Sequence, residues 1–165
     1  MVRSLLFPEF VRGRGAIGLL ILRVVAGAAL MFHGWYKISS PGGMMGWMPP
    51  AAPTPGFLQA AAALSEFGGG ALLILGLLTP VAAFFIACTM IVAIGMAHLP
   101  NDPFVSPTGG RSSESAAVYL AVALALLLGG PGKFSLDGLL FDWRRAAHRE
   151  ASAQTQSQDQ GLSRP

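Results

Sequence analysis

A single cysteine, Cys88, occurs among 165 residues. One thiol cannot close an intrachain disulfide, so the relay used by four-helix quinone-coupled thiol oxidases is excluded. Charge is scarce too: Asp, Glu, Lys and Arg make up 12% of the chain, against about 25% in ordinary soluble domains. HExxH, CxxC and glycine-rich phosphate loops are missing, and no metal is expected. Basic and aromatic residues do not interleave, which argues against a nucleic-acid partner.

Apolar residues fill the space that charge leaves. They form 53% of the chain, with a mean hydropathy of +0.56, and they fall in long blocks. This composition predicts an integral membrane protein. At about 20 residues per span, four helices use most of the length and leave no room for a soluble catalytic domain. Hydropathy and punctuation place them at about Ala16–His33, Leu58–Leu78, Val81–Ala97 and Ala116–Leu128. The last is short. It reaches bilayer length only if it starts near Ser112 or Ser113, which carries Glu114 into its first turn, where the helix dipole favours a carboxylate.

The expected architecture is an all-α, up-down four-helix membrane bundle. Leu78-Thr79-Pro80 makes a tight turn between spans two and three, with Pro80 at an early-helix position. The two other connections, Ser39–Gly56 and Pro100–Arg111, are rich in Pro and Gly and lie together on the opposite side. Arg3, Arg12, Arg14, Lys133, Arg144, Arg145, Arg149 and Arg164 flank the termini, while only Lys37 and Arg111 flank the long loops. The positive-inside rule then puts both termini of a multi-pass membrane protein in the cytoplasm, and the net charge of +3 belongs to that signal. A cleaved signal peptide is the rival reading of the N-terminus, but Arg23 interrupts its apolar run. The segments expected are a cytoplasmic 1–15, a bundle over 16–130, an interfacial helix over 131–145 and a disordered cytoplasmic tail over 146–165. Leu136, Leu139, Leu140 and Trp143 carry the interfacial helix, and the Gln- and Ser-rich end has nothing to bury.

Function is sought at the few charges inside these spans. An ionisable group at mid-bilayer costs about 2.5–3.5 kcal/mol on insertion scales, so it persists where it faces a partner, water or a ligand. At 100° per residue Arg23, Gly27, Leu30, His33, Gly34 and Lys37 share one stripe of the first helix. Gly27 and Gly34, and Glu66-Phe67-Gly68-Gly69-Gly70 on the second helix, allow close backbone approach. Depth along the two helices makes Arg23 and Glu66 the expected ion pair, read either as a structural register lock or as a proton or substrate group held ionised. His33, Lys37, His98 and Glu114 come from three helices at similar depth. Imidazoles beside a carboxylate can shuttle protons and a lysine can hold an oxygen, so the set suits a quinone or small-acid headgroup; the alternative is that these groups only snorkel to the interface. Met44, Met45, Trp47 and Met48 read as a lid over the bundle rather than a soft-metal site, and Cys88 reads as packing.

Leu22-Arg23, Phe32-His33-Gly34, Lys37, Glu66-Phe67-Gly68-Gly69, Leu75-Gly76-Leu77-Leu78-Thr79, Met96-Ala97-His98-Leu99-Pro100-Asn101, Glu114 and Gly130-Pro131-Gly132-Lys133-Phe134-Ser135-Leu136-Asp137 occur in this order. The pattern resembles the DoxX family of small bacterial membrane proteins across about residues 16–138. Where members often have Gly-Tyr-Glu or Gly-Phe-Glu before the fourth span, this chain has Ser112-Ser113-Glu114. The resemblance implies a quinone-linked redox component or subunit of a membrane oxidoreductase complex connected with redox stress. On that reading Glu66, His98 and Glu114 are the acid–base groups, Arg23, His33 and Lys37 hold the cofactor, and the cofactor is a quinone. Membrane lipid is an expected partner, and a soluble redox protein and self-association are compatible with the sequence. Two other classes stay open: a non-catalytic membrane anchor that recruits a soluble redox enzyme, and a small transporter.

Overall fold

The computed structural model describes Val11 and residues 13–49, 54–99 and 102–140. Helix α1 spans Arg14–Ile38, α2 spans Gly56–Leu75, α3 spans Thr79–Val92 and α4 spans Glu114–Gly129. No strand occurs among the described residues. Three helices are long and apolar enough to cross a membrane, Arg14–Ile38, Gly56–Leu75 and α3 with its continuation to Met96. The fourth, of 16 residues, is about 24 Å long at 1.5 Å per residue, short of a ~30 Å hydrocarbon core. The protein is an all-helical membrane bundle. Its long apolar helices turn side chains such as Ile21, Phe32, Phe84 and Leu128 outward, as a lipid-facing surface requires and a water-facing one would not.

Helix α1 packs along α2, α2 on α3, and α3 on α4, while α1 and α4 meet only lightly. Small residues set the closest approach. A Cβ on Gly27 would meet the Gly70 carbonyl at 2.6 Å, and one on Gly70 would meet Gly27 in return. Gly34 lies just as tightly against the Phe67 backbone. These contacts, made possible by the close approach that the glycines allow, fix the antiparallel register of the two helices. Leu30, Leu73, Ile86, Met90, Ala123 and Leu126 fill the core between the helices.

At one end of the bundle α2 closes on Gly76, whose φ of 64° and bonds to Leu72 and Leu73 make a left-handed cap. Leu78 follows at φ 49°, a conformation costly for a side chain with a Cβ. It is held from far along the chain. The Asp137 carboxylate accepts the Leu78 and Thr79 N–H groups, each at 2.9 Å, and the Asp137 N–H donates to the Gly76 carbonyl at 2.9 Å. The start of α3 is thus capped by a segment that follows α4. Residues 136–140 are helical; the rest of the expected interfacial helix, with Trp143, and the 146–165 tail lie outside the described residues.

At the other end α3 runs on as a π-helical turn, Ala93–His98. A wider turn rotates the side chains after it relative to a regular helix, and such turns recur at functional sites. Here it sets the direction of His98. Ser113 precedes α4 as anticipated but makes no side-chain cap; the start is held instead by the Ser113 N–H donating to the Pro103 carbonyl at 3.1 Å.

Candidate functional site

A cavity of about 540 Å³ lies at the end of the bundle that carries the two long loops. This is within the range of small-molecule sites. His33 and Lys37 of α1, Glu66 of α2, His98 of the π-helical turn, Tyr119 of α4 and Arg111 of the second loop all line it. Trp47, Met48, Leu58, Phe85, Met90 and Met96 supply apolar walls.

Its floor is an ion pair that the sequence stripe did not foretell. Lys37 Nζ donates to Glu66 Oε1 at 2.5 Å and also stands 4.6 Å from the Trp47 ring centroid, a cation–π distance. Glu66 is 4% exposed, and its second oxygen, Oε2, has no hydrogen-bond partner among the described residues. Tyr119 lines the same cavity. The Tyr119 ring meets that of His33 edge-on at 5.8 Å.

A second polar group closes the rim. His98 Nδ1 and Asp102 Oδ2 are 2.8 Å apart, and Arg111 Nε donates to the same oxygen at 3.1 Å. The hydrogen bond with His98, then that from Arg111, holds the Asp102 carboxyl below its usual range, against the opposing effect of burial. The first loop is pinned by Gln59: Trp47 Nε1 donates to its carbonyl at 3.1 Å, its Oε1 accepts the Met48 N–H at 3.0 Å, and its Nε2 donates to the Thr54 carbonyl at 2.9 Å. Trp47 and Met48 therefore lie over the cavity as a held lid.

The six residues singled out from the sequence divide. His33, Lys37, Glu66 and His98 come together at the cavity. Glu114 opens α4, exposed, outside the cavity lining. Arg23 is fully buried at the opposite end, where Nη2 donates to the Phe134 carbonyl and the guanidinium packs on Gly76. The expected Arg23–Glu66 pair is not made. With Gly27 against Gly70 and Gly34 against Phe67, Arg23 stands level with Gly76, and about ten residues of helical rise, roughly 15 Å, separate it from Glu66. That is more than an arginine can reach. Lys37, four turns along the same stripe, takes its place. Cys88, expected as packing, is exposed and lines the cavity.

Gln59, Tyr119, Asp102 and Asp137 were missed. Asp137 stood within the Gly-Pro-Gly-Lys-Phe-Ser-Leu-Asp run, but nothing local ties it to a turn 58 residues earlier. Tyr119 lies in an unbroken apolar run, where a lone phenol carries no signal of its own.

Chemically, the cavity offers a half-buried cation for a carbonyl or anionic oxygen, a carboxylate oxygen left over for a ligand hydroxyl, and imidazoles nearby to pass a proton. Among the described residues no group of three or more His, Cys, Asp or Glu is placed to hold a metal ion. A family model described as DoxX matches residues 18–99. The chain is also similar to the inner membrane protein YqjF of Escherichia coli strain K12, 30% identical over 124 residues that cover 75% of this chain and 92% of the relative. No solved structure matches it significantly.

Proposed function

Because the chain belongs to the DoxX family and is a multi-pass inner membrane protein, we propose that it is a quinone-binding component of a membrane redox system, with the quinone headgroup seated in the loop-end cavity. One observation carries this reading. The Lys37–Glu66 pair, its acid buried and its cation half-buried, lies in a mainly apolar chamber with Glu66 Oε2 unpartnered. A buried carboxylate oxygen without a donor is costly. A quinol hydroxyl satisfies it, while Lys37 faces the ring oxygen in the oxidised form. Trp47, Met48 and Met96 give the ring flat and polarizable walls. Tyr119 and His33, which also line the cavity, are the candidates to pass a proton on once a ligand bridges them to Glu66, and His98 with Asp102 guards the rim. Arg23 and Glu114 have no part in holding the headgroup on this reading.

The excess of Lys and Arg near the termini supports a cytoplasmic location for both, with the cavity toward the outer face. Cys88 has no second thiol with which to relay electrons; on this reading a soluble redox enzyme exchanges electrons with the quinone. Native mass spectrometry of the gently solubilised protein tests this. Co-purified quinone is the expected result. A stoichiometric soluble protein without quinone would make the chain an anchor, and neither would turn attention to transport.

A further inference from the structure

The cavity reaches the seam between α2 and α3. Ala61 on α2 and Phe85, Cys88 and Val92 on α3 line the cavity and are also exposed on the outside of the bundle. Four such residues on neighbouring helices bring the chamber to the bundle surface along this seam. One hydrogen bond crosses the gap, from Thr89 Oγ1 to Ser65 Oγ at 3.0 Å, and Ala61 and Ala62 leave room beside it. Ring and loop contacts brace the chamber elsewhere. The His33 and Tyr119 rings meet across the gap between α1 and α4, and Trp47 and Met48, tied to Gln59, cover the loop end.

Depth identifies what lies outside the opening. Ser65 is nine residues into α2, about 13 Å from the loop end at 1.5 Å per residue, well within a ~30 Å hydrocarbon core. The opening faces acyl chains, not water. Inside it waits the unpartnered Oε2 of Glu66, which needs a polar ligand atom. A ligand that answers both features has an oxygen-bearing head and a lipophilic chain.

We propose that the cavity takes a quinone carrying a lipophilic side chain, that this chain leaves through the crevice between α2 and α3, and that the ligand exchanges sideways with the bilayer by this route. The inference rests on the quinone reading above and adds the tail site and the path. A fatty acyl chain shares the tail's chemistry, so the test separates the two.

In lipid nanodiscs the affinities of decyl-ubiquinone and of its tail-less benzoquinone headgroup are compared for the wild type, Cys88→Phe and Ala62→Phe, each checked for an intact melting transition. The tail should raise affinity about tenfold or more in the wild type, and either plug should bring that ratio close to one. Two plugs guard against one that fails to fold. A ratio unchanged in both overturns the crevice while leaving headgroup binding standing. A wild type that binds neither quinone removes the headgroup reading and this inference with it. Palmitate is the comparator. If it binds with the same dependence on the plugs and neither quinone displaces it, the chain in the crevice belongs to a membrane lipid and the assignment to quinone is overturned.

Discussion

Glu66 shows how one buried acid takes its role from its neighbours. Removing one partner of a buried ion pair strands a charge at a cost of about 3–5 kcal/mol, whereas removing both is close to neutral. Lys37→Met and Glu66→Gln should therefore each lower the melting point in detergent, and the double variant should recover much of the loss. Arg23→Met combined with Glu66→Gln should be additive, since the two side chains share no partner. Strong coupling of Arg23 rather than Lys37 to Glu66 would contradict the geometry. Asp102 gives a second expectation. Its folded value lies below the ordinary 3.8, so its contribution to the closed rim is complete above 3.8 and is lost as pH falls through the lower folded value. A spin label on Ser106→Cys, in a Cys88→Ala background, should keep its mobility down to about pH 3.8 and loosen only in stronger acid. A transition already finished well above that point would contradict it.

Elements are joined at the turn end by a carboxylate that arrives late in the chain. Asp137 supplies the cap that Leu78, in its left-handed conformation, cannot give α3. Hydrogen bonds to charged groups are worth about 1.5–3 kcal/mol each, so Asp137→Ala should cost about 2 kcal/mol or more. Thermal unfolding followed by helical circular dichroism measures it, and an unchanged midpoint would mean that the turn holds itself. Spans and small-residue contacts could be read from sequence because hydropathy and helical spacing are local. The partner of Glu66 could not. It depends on the register of two helices, which Gly27 and Gly70 set by contact, and estimates of depth from the membrane edges are too coarse to separate Arg23 from Lys37. The π-helical turn that aims His98 and the cap from Asp137 are likewise tertiary features, invisible to any pattern along one segment.

For the whole molecule, the two ends differ in character. Arg23, Gly76 and Asp137 are packed together at the turn end, where Arg23 Nε and Nη1 and Thr79 Oγ1 have no partner among the described residues. At the loop end the unpaired Glu66 Oε2 belongs to a residue that lines a chamber. With the loops outside, a cysteine placed at Ser106 in a Cys88-free background should react with an impermeant maleimide on intact cells, and one at Ser157 should not. Labelling of the second alone would invert the orientation. The division of the six charged residues became visible only in three dimensions, since His33, Lys37, Glu66 and His98 converge while Glu114, at a similar depth to His98, turns outward. The most direct measurement is the thermal shift given by decyl-ubiquinone to wild type, Glu66→Gln and Glu114→Gln. A ligand at a hundred times its Kd adds about 2.7 kcal/mol to the folded state. The wild type and Glu114→Gln should gain that stabilisation, and Glu66→Gln should lose most of it. No shift of the wild type with any quinone, or an equal shift in Glu66→Gln, would contradict a headgroup site built on Glu66.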